Sequence, residues 1–303
     1  SHSQSFASLV FFSAWFKCYY PAEFCVGLLR AQPMGFYSPQ SLIQDARRHG
    51  VQILPVSVLD SQVEASVTSG AIRLGLGSVK GLSTSTAEAI VTAQPALSRQ
   101  SSVADLVRRT GASVREVEAL ARAGALEILG LDRRQAQWVA GVAATEQPGM
   151  LPGLSAIAAP ALPGMSGFEM LVADLASTGV TPDTQPMELL RHALAGQQVL
   201  RAADLLRVTD GKRIRVAGMI THRQRPNTAS GSTFLGMEDE TGLINVIVSP
   251  GLWKRQKRLA RTAKALVVRG IVQNASGAAT VVADRLEPLE ISELLAVRSR
   301  DFQ

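Results

Sequence analysis

The chain has 303 residues, of which 46% are hydrophobic and 18% are charged, so it is long enough for two or three compact domains with real cores. That composition excludes a disordered tail. The formal net charge is +6, and residues 212–287 carry 13 Lys and Arg against 5 Asp and Glu. The basic excess therefore lies in one module near the end of the sequence, which favours a polyanion as its partner.

The chain opens on an apolar run. Residues 6–29 are apolar around most of a helical surface, and Pro21 is placed to begin a second helix at its first turn. We expect a pair of buried helices. A membrane span is not expected, because roughly 20 uninterrupted apolar residues are needed and Lys17, Pro21 and Glu23 interrupt the run. The absence of an initiator Met or a cleavable leader before this run suggests a piece of a longer protein.

A mixed region follows. Residues 38–49 predict an amphipathic helix with Ser38 as N-cap and Pro39 at its first position, and residues 51–58 resemble a strand. Between residues 72 and 131 a helical pattern is punctuated by glycines, which indicates short helices joined by tight turns. Pro, Gly and Ala accumulate from residue 148 to residue 167 with almost no charge, as in a linker or an extended strap.

The last module changes to β-branched runs bounded by Gly, Asn and Asp. A basic helical segment, residues 251–262, lies between the third and fourth runs, which is the order of a five-stranded OB-fold barrel. The predicted strands are residues 213–220, 233–237, 243–248, 265–272 and 279–283. The fold class is therefore multidomain α + β, with a helical region followed by an OB-fold barrel.

One glycine-lined turn is a candidate phosphate site. Residues 76–83 precede an Ala-rich helix and resemble a helix-hairpin-helix turn, in which free backbone amides face an anion. Lys80 adds a mobile charge, and such a site grips DNA without reading its sequence. Ser83 replaces the second hairpin glycine of the usual pattern. A packing corner between helices explains the glycines about as well.

A second glycine-rich segment, residues 120–136, gives a weaker signal. Gly124 and Gly130 precede Arg133 and Arg134. The alternative is that the small residues only let helices approach closely, with the two arginines on a solvated face. The residues assigned to duplex DNA are Gly77, Ser78, Val79, Lys80, Gly81, Arg133 and Arg134.

The barrel module has the charges of a single-strand site but few aromatic side chains. Trp253, at a helix start, is more typical of a barrel plug than of a stacking platform, so sequence-blind electrostatic binding is expected. The alternative is that the charges only solvate a small barrel. The residues assigned to single-stranded DNA are Arg223, Arg225, Phe234, Lys254, Arg255, Lys257 and Arg258.

Catalytic motifs are missing from the sequence. Glu238, Asp239 and Glu240 form the only acidic run, and we interpret residues 239–242 as the turn between the second and third strands. A Walker loop, a dinucleotide fingerprint and a nucleophile with an evident base are also missing. Cys18 and Cys25 have no metal-ligand spacing and are expected to be reduced core residues. We therefore assign no catalytic residue, metal or cofactor to this chain.

The order of parts resembles the C-family DNA polymerases, and in particular their error-prone branch. The segments that carry the resemblance are residues 1–7 (SHSQSFA), 15–17 (WFK), 20–24 (YPAEF) and 28–39 (LLRAQPMGFYSP). Residues 75–81 (GLGSVKG) and 123–126 (AGAL) fall where that family carries its tandem helix-hairpin-helix, and the OB-fold follows. The resemblance covers the chain up to about residue 289.

The resemblance implies the domains 1–60 (end of the fingers), 61–147 (tandem hairpins), 148–211 (strap with helices), 212–290 (OB-fold) and 291–303 (tail). It further implies a parent enzyme active in translesion synthesis, with a Mg²⁺-binding palm before Ser1, so that the fragment alone is inactive. The hairpins would hold primer-template duplex, the barrel would lie near single-stranded template, and His2 would lie on the nucleotide side.

The implied location is the cytoplasm. The implied partners are DNA and an accessory mutagenesis protein resembling a Y-family polymerase, through which the sliding clamp is reached, because no convincing clamp peptide is present. Two other readings stay open: a stand-alone OB-fold nucleic-acid-binding module, and a non-catalytic platform for protein interactions. The apolar helices at the start of the chain argue against the stand-alone module, because they leave a core unfinished.

Overall fold

The computed structural model describes residues 2–35, 37–143, 159–275 and 277–289. The predicted strap lies mostly outside the described residues, as does the predicted tail, residues 291–303. The chain divides into two compact units, residues 1–34 with 49–183 and residues 35–48 with 184–303. Among the described residues, none of the helices has the length and hydrophobicity of a membrane span.

The first unit combines helices with one small sheet. Its three short strands lie in the order β1-β3-β2, with β1 parallel and β2 antiparallel to β3. The strands are β1 (Ile53–Leu54), β2 (Ser66–Thr68) and β3 (Ala71–Arg73), and the helices are α1 (His2–Tyr19), α2 (Pro21–Arg30), α4 (Thr84–Ala93), α5 (Val103–Thr110), α6 (Val114–Arg122), α7 (Arg133–Ala143) and α8 (Gly167–Ser177).

The helix starts in this unit follow local sequence signals. Ser102 and Ser113 begin α5 and α6 with capping boxes that pair them with Asp105 and Glu116 three positions on. Gly111 ends α5 in the left-handed conformation, with φ of 67°. The apolar faces of these helices are buried. Short helices joined by tight turns are what the sequence predicts for this region.

The first helix differs from expectation. None of its residues is buried, and Phe11, Phe12 and Trp15 are 66%, 59% and 41% exposed. Only α2 follows the predicted burial, through Ala22, Cys25 and Val26. Cys18 is exposed, so the expectation that both cysteines lie in a core is wrong for that one. An apolar sequence pattern indicates that a helix face favours burial, but it does not identify the segment or partner that buries it.

The second unit is built around a closed five-stranded barrel, as predicted. Strand β5 pairs with both β6 and β8, β6 with β7, β7 with β9 in parallel, and β9 with β8, which closes the barrel. Its elements are α3 (Pro39–Arg48), α9 (Pro186–Ala195), β4 (Val199–Leu200), β5 (Arg213–Gln224), β6 (Thr233–Glu238), β7 (Leu243–Val248), α10 (Pro250–Arg255), α11 (Lys257–Thr262), β8 (Ala265–Ala275) and β9 (Ala278–Pro288).

The barrel has an inner core and a second, outer cluster. Val216, Leu235, Val246 and Val268 are among the fully buried residues that fill its interior. On the outside, Met187, Leu190 and Leu194 of α9 pack against Ala217 and Val267 of the wall. The α9 helix therefore covers part of the outer face of β5 and β8.

The basic helical segment is two short helices rather than one. The break is at Gln256, whose side-chain amide donates to the Leu286 carbonyl at 2.7 Å and accepts from the Leu286 amide at 2.9 Å. These two hydrogen bonds tie the segment to β9. Local helix propensity does not reveal a break that a tertiary contact imposes.

Candidate nucleic-acid interface

The turn of the first hairpin is held mainly by hydrogen bonds within the protein. The Gly77 amide donates to the Val63 carbonyl at 2.8 Å, and the Val79 amide donates to the Leu76 carbonyl at 3.0 Å. A Cβ on Gly75 would lie 2.4 Å from the backbone of Glu64, so the chain passes too closely for any side chain there. Most of the amides expected to face a phosphate thus have protein acceptors.

The N-terminus of α4 already carries a carboxylate. Ser83 is the N-cap, and its amide and hydroxyl donate to Glu116 Oε1 at 3.2 Å and 2.7 Å. Burial raises the pKa of Glu116, but hydrogen bonds from Ser113, Ser83 and Thr86 outweigh it and lower the pKa to about 2. The anion position predicted for a DNA phosphate is therefore occupied by a side chain of α6.

Lys80 is a helix-capping residue in this structure. Its ammonium donates to the carbonyls of Leu175 and Ala176 at 3.1 Å and 3.0 Å, and its amide donates to the Ser177 carbonyl at 2.8 Å. These carbonyls end α8, where a cation also meets the negative end of the helix dipole. The expectation that Lys80 is a mobile charge is wrong, since two of its three donors are engaged.

Arg133 is buried, with 8% exposure, and does not lie on a solvated face. Its Nε donates to Glu127 Oε1 at 2.8 Å, and its Nη1 forms an ion pair with Asp174 at 2.6 Å. Burial lowers the pKa of Arg133, but the two carboxylates raise it overall. A Cβ on Gly124 would lie 2.7 Å from Arg133 Nε, so this glycine makes room for the guanidinium. The placement contradicts a phosphate contact by Arg133.

The cations predicted for duplex DNA share one partner. Arg134 donates to Glu169 on α8 at 2.7 Å, Arg133 pairs with Asp174 on α8, and Lys80 caps the end of the same helix. The structure brings these three residues together around α8. Gly81 is exposed, with φ of 91°, and its amide has no hydrogen-bond partner among the described residues.

The two arginines near the first barrel loop, Arg223 and Arg225, make different contacts. Arg223 Nε donates to the Ala260 carbonyl at 2.8 Å, and its Nη2 donates to the Ala263 carbonyl, so it caps the end of α11. Burial lowers its pKa. Arg225 lies over the ring of Trp253, 5.6 Å from the ring centre. Trp253 is partly buried against the barrel core, which agrees with the barrel-plug role predicted from the sequence.

Four of the five cations of α10 and α11, those other than Arg261, form the clearest open surface. All of them are exposed, and within the described part of the chain they make no ion pair or hydrogen bond through their side chains. They are Lys254, Arg255, Lys257 and Arg258, and we call them the helix cations. Phe234 of β6 is 37% exposed. His2 lies exposed on α1, its ring 4.7 Å from that of Phe6, and its role on the nucleotide side stays a prediction.

The acidic run has structural partners. Glu238 accepts from Arg48 Nη1 at 2.8 Å and from Ser41 Oγ at 3.1 Å, which ties α3 to the barrel. Burial raises the pKa of Glu238, and the opposing effect of Arg48 does not cancel that rise. Arg191 holds the two following residues, with Nε 2.6 Å from Glu240 and Nη2 3.2 Å from Asp239. No group of three or more metal-ligating side chains occurs among the described residues.

Sequence reasoning missed one set of arginines on β5, β8 and β9, of which three are exposed and Arg215 is half-buried. They are Arg213, Arg215, Arg269 and Arg285. The alternation of Arg213 and Arg215 is visible in the sequence, but their alignment with arginines more than 50 positions away depends on strand register.

Comparison with known proteins identifies two modules and relatives of the whole chain. Residues 50–136 match a helix-hairpin-helix motif family, and residues 214–289 match the OB-fold nucleic acid binding domain family. The chain is similar along all of its length to error-prone DNA polymerases of Corynebacterium glutamicum, at 66% identity, and Corynebacterium efficiens, at 64%. It spans 28% of the length of each of these relatives.

Proposed function

Because this chain is homologous over its whole length to a C-terminal portion of the error-prone DNA polymerases, we propose that it forms the DNA-holding region of such an enzyme. It acts there in damage-induced mutagenesis and translesion synthesis. The observation that carries the proposal is the 66% identity over 303 residues, with the hairpin and OB-fold modules inside the match.

Catalysis is assigned to the part of the polymerase outside this chain. Nucleotide addition requires clustered carboxylates that hold two metal ions. In the acidic run, Arg48 and Arg191 already pair with the carboxylates. We therefore expect Mg²⁺ to bind elsewhere in the polymerase and this chain alone to add no nucleotides.

The helix cations are the proposed contact with single-stranded DNA. Lysine and arginine side chains free of carboxylates neutralise phosphates and release counterions, which makes binding strong at low salt and independent of sequence. Arg225, stacked on Trp253, extends the same positive surface toward the first barrel loop. Phe234, on β6, is the exposed aromatic side chain available for base stacking.

Duplex contact is assigned to the exposed residues of the first hairpin. Gly77, Lys80 and Gly81 are exposed. The Gly81 amide makes no hydrogen bond among the described residues, and one of the three N–H donors of the Lys80 ammonium is not used by α8. Arg133 is left out because it is buried and paired. Since Glu116 occupies the end of α4, we expect duplex binding to be weaker than single-strand binding.

Fluorescence anisotropy with labelled single-stranded, duplex and primer-template DNA tests the proposal. We expect log affinity to fall linearly with log salt, with a slope of about 0.7 per neutralised phosphate for single strands and about 0.9 for duplex. The variant Lys257→Ala/Arg258→Ala should weaken single-strand binding and reduce that slope by about 1.4.

The matched control is Arg99→Ala/Arg109→Ala, which removes two exposed arginines outside the barrel module. It should leave single-strand affinity unchanged. If wild-type protein ignores all three DNAs at low salt, the DNA-holding proposal is wrong. Equal weakening by both double variants would show that net charge, and not the helix cations, governs binding.

A protein-interaction platform is the second candidate function. One observation favours it: α1 exposes contiguous aromatic side chains, including Phe11, Phe12 and Trp15. An accessory protein resembling a Y-family polymerase, itself linked to the sliding clamp, is the partner proposed for such a platform. Its binding should survive moderate salt and be lost in Phe12→Ser/Phe16→Ser, whereas single-strand DNA binding should not change in that variant.

A further inference from the structure

Three arginines lie side by side across three neighbouring strands of the barrel. Arg215 of β5 pairs in register with Arg269 of β8, and Arg269 pairs with Arg285 of β9. Residues directly opposite in antiparallel strands have side chains on the same face. Arg213, two positions before Arg215, shares that face. These four residues are called the arginine row.

Two carboxylates brace the arginine row. Asp284 accepts from Arg213 Nε at 2.9 Å and from Arg269 Nε at 2.6 Å. Glu287 accepts from Arg215 Nη2 at 2.6 Å and lies 3.1 Å from Arg285 Nε. Each carboxylate is thus shared by two guanidinium groups, which restricts their motion without neutralising both.

The bracing leaves donors for an outside anion. Asp284 accepts from Nε of Arg213 and Arg269, and Glu287 lies against Nε of Arg285. The Nη atoms of these three arginines make no hydrogen bond among the described residues. Their side chains are 62%, 43% and 59% exposed. A guanidinium has five donors in a fixed fork, so each one presents a pair of N–H groups suited to a phosphate.

The charge balance argues against a purely structural role. Like charges directly opposite each other on neighbouring strands destabilise a sheet. Two such pairs, Arg215 with Arg269 and Arg269 with Arg285, occur here with two carboxylates for four arginines. If these side chains only stabilised the barrel, we would expect as many carboxylates as arginines. The excess of positive charge is useful when an anion binds.

A concave pocket of about 270 Å³ adjoins the row. Four of its seven lining residues are cations, and the full lining is Lys212, Arg213, Arg215, Arg269, Gln198, Leu200 and Ile214. Arg215 and Arg223 are eight residues apart on β5, roughly 26 Å along an extended strand. The pocket therefore lies at the opposite end of β5 from the first barrel loop.

We propose that the arginine row and Lys212 form a second binding site for the phosphate backbone of DNA, at the opposite end of β5 from the loop that carries Arg225. This inference rests on the proposed function and adds a separate surface to it. The braced guanidinium groups bind phosphate oxygens without contacting base edges, so the site is blind to sequence. Single-stranded and duplex DNA share this chemistry, and the experiment separates them.

The test uses the whole 303-residue chain in anisotropy titrations with a single-stranded and a duplex oligonucleotide. The variant is Arg269→Ala/Arg285→Ala, which leaves Arg213 with Asp284 and Arg215 with Glu287. If single strands use the site, we expect affinity to fall roughly 25-fold at 0.1 M salt and the salt slope to fall by about 1.4. If duplex uses it, we expect a loss of roughly 60-fold and a slope change of about 1.8.

Two reference variants make the outcome specific. Arg99→Ala/Arg109→Ala should bind single strands like wild type, and Lys257→Ala/Arg258→Ala reports on the helix cations. If the helix-cation variant is weakened and Arg269→Ala/Arg285→Ala is not, the second site is wrong and the proposed function stands. If wild type itself binds neither DNA, both are wrong.

Chemical protection of the wild-type chain covers the case of an unfolded variant. Phenylglyoxal modifies accessible arginines, and peptide mass spectrometry locates them. DNA should reduce modification of Arg213, Arg269 and Arg285 at least threefold, while Arg99 stays reactive. Protection by polyglutamate with none by DNA would overturn the proposal and assign the row to an acidic protein segment.

Discussion

The Glu116 carboxylate accepts hydrogen bonds from the amide and the hydroxyl of Ser83, at 3.2 Å and 2.7 Å. It also completes the capping box of Ser113 at the start of α6. One carboxylate thus joins the N-termini of α4 and α6, where the positive ends of two helix dipoles favour a negative charge. The first hairpin is stabilised by an anion that belongs to the protein.

This relationship predicts a pH-dependent stability. The pKa of Glu116 is lowered from 4.5 to about 2, so its contribution is complete above pH 4.5 and is lost as pH falls toward 2. We expect the free energy of unfolding to drop by about 1–2 kcal/mol over that window, less than the full shift implies because the group is partly solvated. Urea unfolding of wild type and Glu116→Gln measures it.

The matched control for that experiment is Glu118→Gln on the same helix, which should keep the acid dependence of wild type. Glu116→Gln should lose about 1–2 kcal/mol of that dependence between pH 4.5 and pH 2, while Asp105 and Asp284, whose pKa values are also lowered, keep their share. An unchanged acid dependence in Glu116→Gln would contradict the assignment of the window to this carboxylate.

Lys80→Ala should loosen α8. Loss of the two hydrogen bonds to the Leu175 and Ala176 carbonyls and of a cation at the helix C-terminus should cost about 1 kcal/mol. Hydrogen exchange should therefore accelerate in α8 relative to α5. Arg99→Ala is the control and should leave both helices unchanged. If Lys80→Ala weakens duplex binding without faster exchange in α8, the capping role is secondary to a DNA contact.

Arg133→Ala and Arg134→Ala should differ sharply although they are adjacent. Removing Arg133 leaves Asp174 uncompensated in a buried site, which should cost about 3 kcal/mol. Arg134 makes a surface pair with Glu169, with side chains 35% and 44% exposed, so its loss should cost at most about 1 kcal/mol. Denaturant midpoints compare them, and equal losses would show that Arg133 is not a buried anchor.

Gly270→Ala should destabilise the barrel. An added Cβ would lie 2.4 Å from the Val282 carbonyl oxygen, at the bulge where β8 meets β9, so backbone must shift. We expect a loss of about 2 kcal/mol in thermal unfolding. Gly251→Ala is the control, because its Cβ would meet nothing closer than 3.8 Å; its change should stay within about 0.5 kcal/mol. A silent Gly270→Ala would mean that the bulge relaxes freely.

Local patterns in the sequence were enough for the barrel module. Alternating β-branched runs with turn residues predict five strands, and the break in period between the third and fourth predicts the helical segment. Ser38 and Pro39 likewise predict the start of α3. These features depend on residues adjacent in the chain, so periodicity and capping reveal them.

The partners of charged side chains could not be predicted from local sequence patterns in the same way. Lys80 and Arg133 have the residue types of a phosphate contact, yet the structure turns both toward α8. The pairing of Arg215 with Arg269 depends on a strand register set by the closure of β5 onto β8.

The sequence by itself determined the five strands of the barrel and the helix starts at Pro21 and Pro39, and it concentrated positive charge in the barrel module. Only the tertiary structure decided which cations face solvent and which hold the fold together. The physical reason is that secondary structure follows from short-range periodicity. The state of a charge depends on partners brought close by folding, as with Glu116 and Ser83 or Arg133 and Asp174.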